Sequence, residues 1–212
     1  MSFAGDGQES GLDRRVADLR QEILQRDRAA LAQRTGAVRD NGGFLLAVWN
    51  RCIAINGQDF IAVDRESGQS CDPLTQAMLA YYFYTSDGYP AADEWIAFRD
   101  LPDGQFYNSA FQGYTGNKLA QVFGDDIAAF TRAARSLDGR RLAFGDAAYS
   151  FQAVPRIHVA AVCWLGDEDF PTSYRILFDR SIEHHLPTDA CAILGSMLTT
   201  RLTKAMVSGV NS

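Results

Sequence analysis

Hydrophobic and polar positions alternate in several distinct rhythms along this chain. Leu12, Val16, Leu19, Ile23, Leu24 and Leu31 recur at spacings of three, four and seven, with Arg and Asp between them. That is one face of a 3.6-residue period, and it predicts an amphipathic helix over Leu12–Leu31. Asn41-Gly42-Gly43 then breaks the chain. Three short apolar runs follow, Phe44–Trp49, Cys52–Ile55 and Phe60–Val63, separated by Asn50-Arg51 and Asn56-Gly57. Asn-Gly between apolar runs is a hairpin signal, so these predict a small antiparallel meander. Asp72-Pro73 is an N-cap followed by a proline at the first helical position, and it opens a helix reaching about Tyr84.

The second half adds a strand at Trp95–Phe98. Helical patterns follow over Tyr107–Phe123, interrupted at Gly113–Gly116, and over Asp126–Ser136. Ala148–Ala153, Ile157–Trp164 and Tyr174–Phe178 are rich in β-branched and aromatic residues and predict three strands. Pro187 opens a last helix, Thr188–Met206. Strands and helices come in blocks rather than in strict alternation. The expectation is therefore an α+β fold, with antiparallel or mixed sheets packed against helices. Residues 1–11 are small, polar and Gly-rich and are expected to be disordered, which leaves 12–212 as a single domain.

Composition narrows the function. With 47% hydrophobic and 22% charged residues over 212 positions, the chain can bury a full core. A net charge of −6 and the lack of any Lys/Arg-rich run argue against nucleic acid as a partner. No apolar run approaches the ~20 residues that span a bilayer, and no secretory signal precedes the first helix, so a cytoplasmic location without membrane contact is expected. The four cysteines, Cys52, Cys71, Cys163 and Cys191, never approach C-x-x-C spacing. Neither a zinc site nor an iron–sulfur cluster is expected. Phosphate-binding glycine loops and a G-x-S-x-G nucleophile turn are also absent.

Some constellations keep two readings open. In Trp164-Leu165-Gly166-Asp167-Glu168-Asp169-Phe170-Pro171, an extended backbone would put Asp167 and Asp169 on one side, suited to a hard cation or to acid–base work. The same residues also suit a polar turn between strands. His184 and His185, adjacent in sequence, cannot easily share one metal from a helix, but either could be a single axial ligand. A capping or surface role is the other reading. Tyr81-Tyr82-Phe83-Tyr84 exceeds what one helix face can bury, so the helix is enclosed by protein or its surplus rings line a pocket. Arg99 and Asp179 could pair beneath a sheet.

The block Trp95-Ile96-Ala97-Phe98-Arg99-Asp100-Leu101-Pro102, with Tyr107 and Ala110-Phe111 after it, resembles a prokaryotic family called domain of unknown function 3786. Phe123-Gly124, Gly145-Asp146, Pro155-Arg156, Trp164–Pro171, Leu177-Phe178-Asp179 and His185-Leu186-Pro187 fit the same resemblance in order. It implies an anaerobic setting. Some relatives carry an iron–sulfur domain of the corrinoid-protein type, whose cysteines this chain lacks. The resemblance thus suggests corrinoid or other tetrapyrrole metabolism, with a corrinoid or redox protein as partner. The expected function is non-catalytic binding of a large organic cofactor, with a corrinoid as the expected ligand. Tyr82, Trp95, Phe98, Tyr107, Phe111, Trp164 and Phe170 would supply aromatic faces, and Arg99, Arg156, Asp167, Asp169, Asp179 and His185 would supply polar groups. The alternatives are a small metal-dependent enzyme using the Asp167/Asp169 turn and a histidine, or an interaction module of an anaerobic redox complex.

Overall fold

The computed structural model describes residues 11–210, with side chains to 207. The disorder expected for residues 1–11 lies outside that range, except that Gly11 begins the first helix. The chain folds as α+β, with helices α1 to α7 and two antiparallel sheets.

The N-terminal pattern yields two helices rather than one. α1 spans Gly11–Leu24 and α2 spans Arg28–Thr35. The break falls at Asp27, whose carboxylate accepts the Ala30 N–H at 2.7 Å and caps α2. An aspartate that can cap competes with helix continuation. The meander follows as β1 (Val38–Asp40), β2 (Gly43–Val48), β3 (Arg51–Ile55) and β4 (Ala62–Asp64), paired in that order. The β2–β3 turn is Trp49-Asn50, one residue earlier than expected, and both residues have positive φ as in a mirror-image hairpin turn. β4 starts later than Phe60 because Phe60 itself takes φ 57 and donates its N–H to Asn56 O at 3.0 Å.

Helix α3 (Pro73–Thr85) is capped by Asp72 through the Thr75 N–H at 3.0 Å. It is buried nearly all round, so the run Tyr81–Tyr84 belongs to an enclosed helix. The second sheet has the order β5-β9-β8-β7-β6, where β5 is Trp95–Ala97, β6 Arg140–Leu142, β7 Ala147–Val154, β8 Ile157–Trp164 and β9 Ser173–Asp179. α4 (Gly104–Tyr114), α5 (Gly116–Phe123) and α6 (Ile127–Ser136) lie between β5 and β6. The expected interruption at Gly113–Gly116 is real, and Thr115 is its centre. α7 (Thr188–Val210) closes the chain and packs against α3, α5 and α6. Among the described residues, no helix is long and apolar enough to cross a membrane.

Candidate functional site: an apolar cavity rimmed by carboxylates

A cavity of about 780 Å³ opens where α4, the turn after β5 and the start of α7 meet. Its construction starts at Phe98. β5 ends at Ala97 and the chain turns into a short 3₁₀ segment, Phe98–Asp100, held by Asp100 Oδ2 accepting the Ala97 N–H at 2.9 Å. This turns Phe98 inward, where its ring stacks on Phe111 at 4.1 Å with Phe178 behind both. Leu101-Pro102 and Leu186-Pro187 lead the chain toward α4 and α7. The two walls are joined by Thr188, whose hydroxyl donates to Pro102 O at 2.7 Å. Along α4, Tyr107, Ala110 and Tyr114 fall three and four residues apart and so line the same opening. Leu186, Pro187 and Ala192 complete the apolar wall.

The charged groups of this cavity all have one sign. Among the described residues, Asp103, Glu183 and Asp189 line it, and no Lys, Arg or His does. Asp189 Oδ2 accepts the Tyr81 hydroxyl at 3.2 Å. Burial, reinforced by the Asp189 charge, raises the Tyr81 pKa, and burial alone raises that of Tyr114. Both phenols are therefore neutral donors at neutral pH. An apolar pocket with phenols and carboxylates suits an organic ligand that presents hydrogen-bond donors or positive charge.

The residues singled out from the sequence separate into groups. Phe98 and Tyr107 line the cavity, and Phe111 supports it from behind. Trp95 is half-buried on β5, opposite Asp179 in the register. Arg99 is exposed and lies 3.7 Å from Asp100, not against Asp179. Asp179 instead accepts backbone N–H groups of Ala92, Asp93 and Ser181 at 2.8–2.9 Å. Burial opposes its ionisation, but the hydrogen bonds from Ser181, Ala92 and Asp93 outweigh that and hold its pKa below the usual carboxylate value. The anticipated pairing with Arg99 is thus replaced by a loop-closing role.

Trp164 ends β8, and Asp167, Asp169 and Phe170 lie in the β8–β9 turn, all at the far end of β9 from Asp179. A seven-residue strand separates those ends by about 20 Å. Asp167 Oδ1 accepts the N–H groups of Asp169 and Phe170, both at 2.9 Å, which is the polar-turn arrangement. Phe170 is 71% exposed there. Among the described residues, no group of three or more His, Cys, Asp or Glu is placed to hold a metal ion.

Tyr82 and His185, both fully buried, form a separate cluster with the half-buried Arg156. Tyr82 donates to Thr35 O at 2.6 Å and its ring lies 6.1 Å from that of His185. Arg156, in the β7–β8 turn, donates to Gln33 O at 2.9 Å. His185 is fully buried, with Nδ1 2.9 Å from Ser86 Oγ and Nε2 3.1 Å from Tyr89 O. Neither ring nitrogen is free for an axial bond in this arrangement. His184 Nδ1 pairs with Asp87 Oδ2 at 2.7 Å, and its ring stacks on Tyr89 at 4.0 Å.

Sequence reasoning passed over Glu183, Asp189, Leu186, Ala110 and Ala192 as site residues. The spacing Tyr107, Ala110, Tyr114 was the available signal, together with two Leu-Pro steps that each precede a helix. The family comparison bears on the whole of this region. The model whose description is "Domain of unknown function (DUF3786)" matches residues 27–201. The chain belongs to the DUF3786 family. No curated protein and no solved structure matches it. The DUF3786 match begins at the α2 cap, Asp27, and ends within α7. It contains both sheets and every residue of the cavity, whereas α1 lies outside it.

Proposed function

We propose that this protein binds a large organic cofactor without performing chemistry on it, and that the cofactor is a corrinoid held at the cavity between α4 and α7. The observation that carries this reading is the lining itself. Phe98, Tyr107, Tyr114, Leu186 and Pro187 offer apolar and aromatic surface to a flat ring, and Asp103, Glu183 and Asp189 offer acceptors at its edge. The amide side chains around a corrin ring are donors of the kind those carboxylates accept. At about 780 Å³ the cavity takes one edge of such a ring, leaving the remainder for solvent or a partner protein. The purely acidic rim disfavours anionic groups. Cobinamide, which lacks the anionic nucleotide loop of cobalamin, is therefore the better ligand. With His185 buried and hydrogen-bonded, cobalt keeps solvent or its own ligand rather than a protein base.

The test is a visible-absorbance titration of the purified protein with cobinamide and with cobalamin, followed by gel filtration. Cobinamide is expected to shift its spectrum and to coelute with the protein, and to bind more tightly than cobalamin. Ala110 is an exposed α4 residue on the cavity wall. Ala110→Trp should fill the cavity, leave folding intact and abolish coelution. If neither corrinoid is retained, or if Ala110→Trp binds as well as the wild type, the reading is wrong.

A further inference from the structure

A second cavity, of about 460 Å³, lies between the meander and the C-terminal half of α7, and its character is opposite to that of the first. Trp49 stands at its edge. This residue holds φ 51, a conformation that is uncommon for a bulky side chain and that persists only where the surroundings enforce it. The Trp49 N–H donates to Ala153 O at 2.9 Å, tying the hairpin tip to the larger sheet. The residue is only 8% exposed, and among the described residues its indole Nε1 has no hydrogen-bond partner. A buried donor without an acceptor is rare and costly in a folded protein.

Arg201 lies over the same ring, with its guanidinium carbon 5.2 Å from the ring centre. Among the described residues, nothing accepts a hydrogen bond from this guanidinium and no carboxylate pairs with it. Burial lowers the Arg201 pKa, and the like charge of Arg51 lowers it further. Arg51 and Lys204 line the cavity with it, and Ser67, Ser70 and Thr200 add hydroxyls. The two carboxylates in the lining are already engaged. Asp64 holds Arg51 and the backbone of Glu66 and Ser67, and Asp72 caps α3. Among the described residues, one cation without a counter-ion and one indole N–H without an acceptor thus stand side by side, on residues that line both this cavity and an adjoining one of about 360 Å³.

We propose that a small organic anion, carrying a carboxylate or a phosphate, binds in this cavity with its oxygens between the Trp49 indole N–H and the Arg201 guanidinium. Such an oxygen would satisfy both groups at once, and charge-assisted hydrogen bonds of this kind are the strong ones. The site is independent of the corrinoid reading, because the two cavities border different stretches of α7, Thr188–Ala192 and Met197–Lys204.

The experiment follows the indole N–H resonances of the ¹⁵N-labelled full chain, with Trp49→Phe identifying the signal of Trp49. Inorganic phosphate and succinate are titrated separately at constant ionic strength. The Trp49 signal is expected to shift saturably with at least one probe, and the responding probe tells phosphate from carboxylate. Arg201→Gln should weaken that binding about tenfold or more. Lys204→Gln, at an exposed position, should give a smaller weakening while leaving the rest of the spectrum unchanged. The proposal is overturned if the Trp49 signal responds to neither probe, or if it saturates equally well in both charge variants.

Discussion

His185 shows how a single buried side chain fixes its own protonation. Tyr89 O can only accept, so Nε2 carries the hydrogen of the neutral ring, while Nδ1 and Arg34 O, 2.9 and 3.1 Å from Ser86 Oγ, compete for its one hydroxyl hydrogen. Burial is the main reason its pKa falls from 6.5 to about 4. The Tyr89 carbonyl and Asp87 act against that fall, while His184 and Arg156 add to it. In the unfolded chain the imidazole takes a proton below about pH 6.5, and in the folded chain only below about 4. Stability from this group is complete above pH 6.5 and is lost as pH falls to 4, amounting to about 2 kcal/mol after allowance for solvent screening. Urea midpoints measured across that window should decline for the wild type. His185→Gln, less stable near neutral pH, should lose this part of the slope and so close on the wild type as pH falls toward 4. The depressed aspartates, such as Asp179, act mainly below their unfolded value of 3.8. His158, lowered from 6.5 chiefly by burial, and Glu94, lowered from 4.5 chiefly by its hydrogen bond with Arg180, share the window, so the wild-type decline should exceed the part that His185→Gln removes.

At the scale of elements, the approach of α7 to α4 depends on Gly195. A Cβ there would lie 2.6 Å from the Phe111 ring, which is fully buried and stacked on Phe98. Alanine gains ~1 kcal/mol in helix propensity, but forcing an unyielding ring aside costs ~1–3 kcal/mol. Gly195→Ala should therefore lower the melting temperature and, by displacing Phe98, weaken cobinamide binding as well. A variant with an unchanged melting temperature would show that Phe111 yields without cost.

Elements of strong period were readable beforehand, among them α3 with its Asp72-Pro73 start and the apolar strands β7 to β9. Those set by side-chain competition or by polar edges were not. Asp27 divided what periodicity joined. β1 and β6 read Val-Arg-Asp and Arg-Arg-Leu, because each lies at the end of its sheet, where charge guards an open edge. The candidate site was half legible for a related reason. Rings can be found by type, but Glu183 and Asp189 join them only through the packing of α7, and nothing local separates a cavity carboxylate from a surface one. Trp164 and Phe170 misled because two ends of one strand are close in sequence and far apart in space.

Across the whole molecule, the two cavities give one helix two opposite electrostatic settings, acidic near its start and basic toward its end. The molecule is also organised around a shared interior. α3 touches α1, α2 and α7, while β2 meets β7 across the seam between the sheets. α1 lies outside the family match, yet it buries Val16, Leu19 and Ile23 in the same core. An enclosed helix of this kind has no face through which water can enter by fraying alone. The amides in the middle of α3, from Met78 to Tyr82, should then exchange their hydrogens for deuterium only when the entire chain opens, and more slowly than those of α4 or the meander. Native-state exchange in low denaturant measures this directly. Protection of α3 equal to the global unfolding free energy is the expected result, and earlier exchange there would mean that the two sheets unfold as separate units.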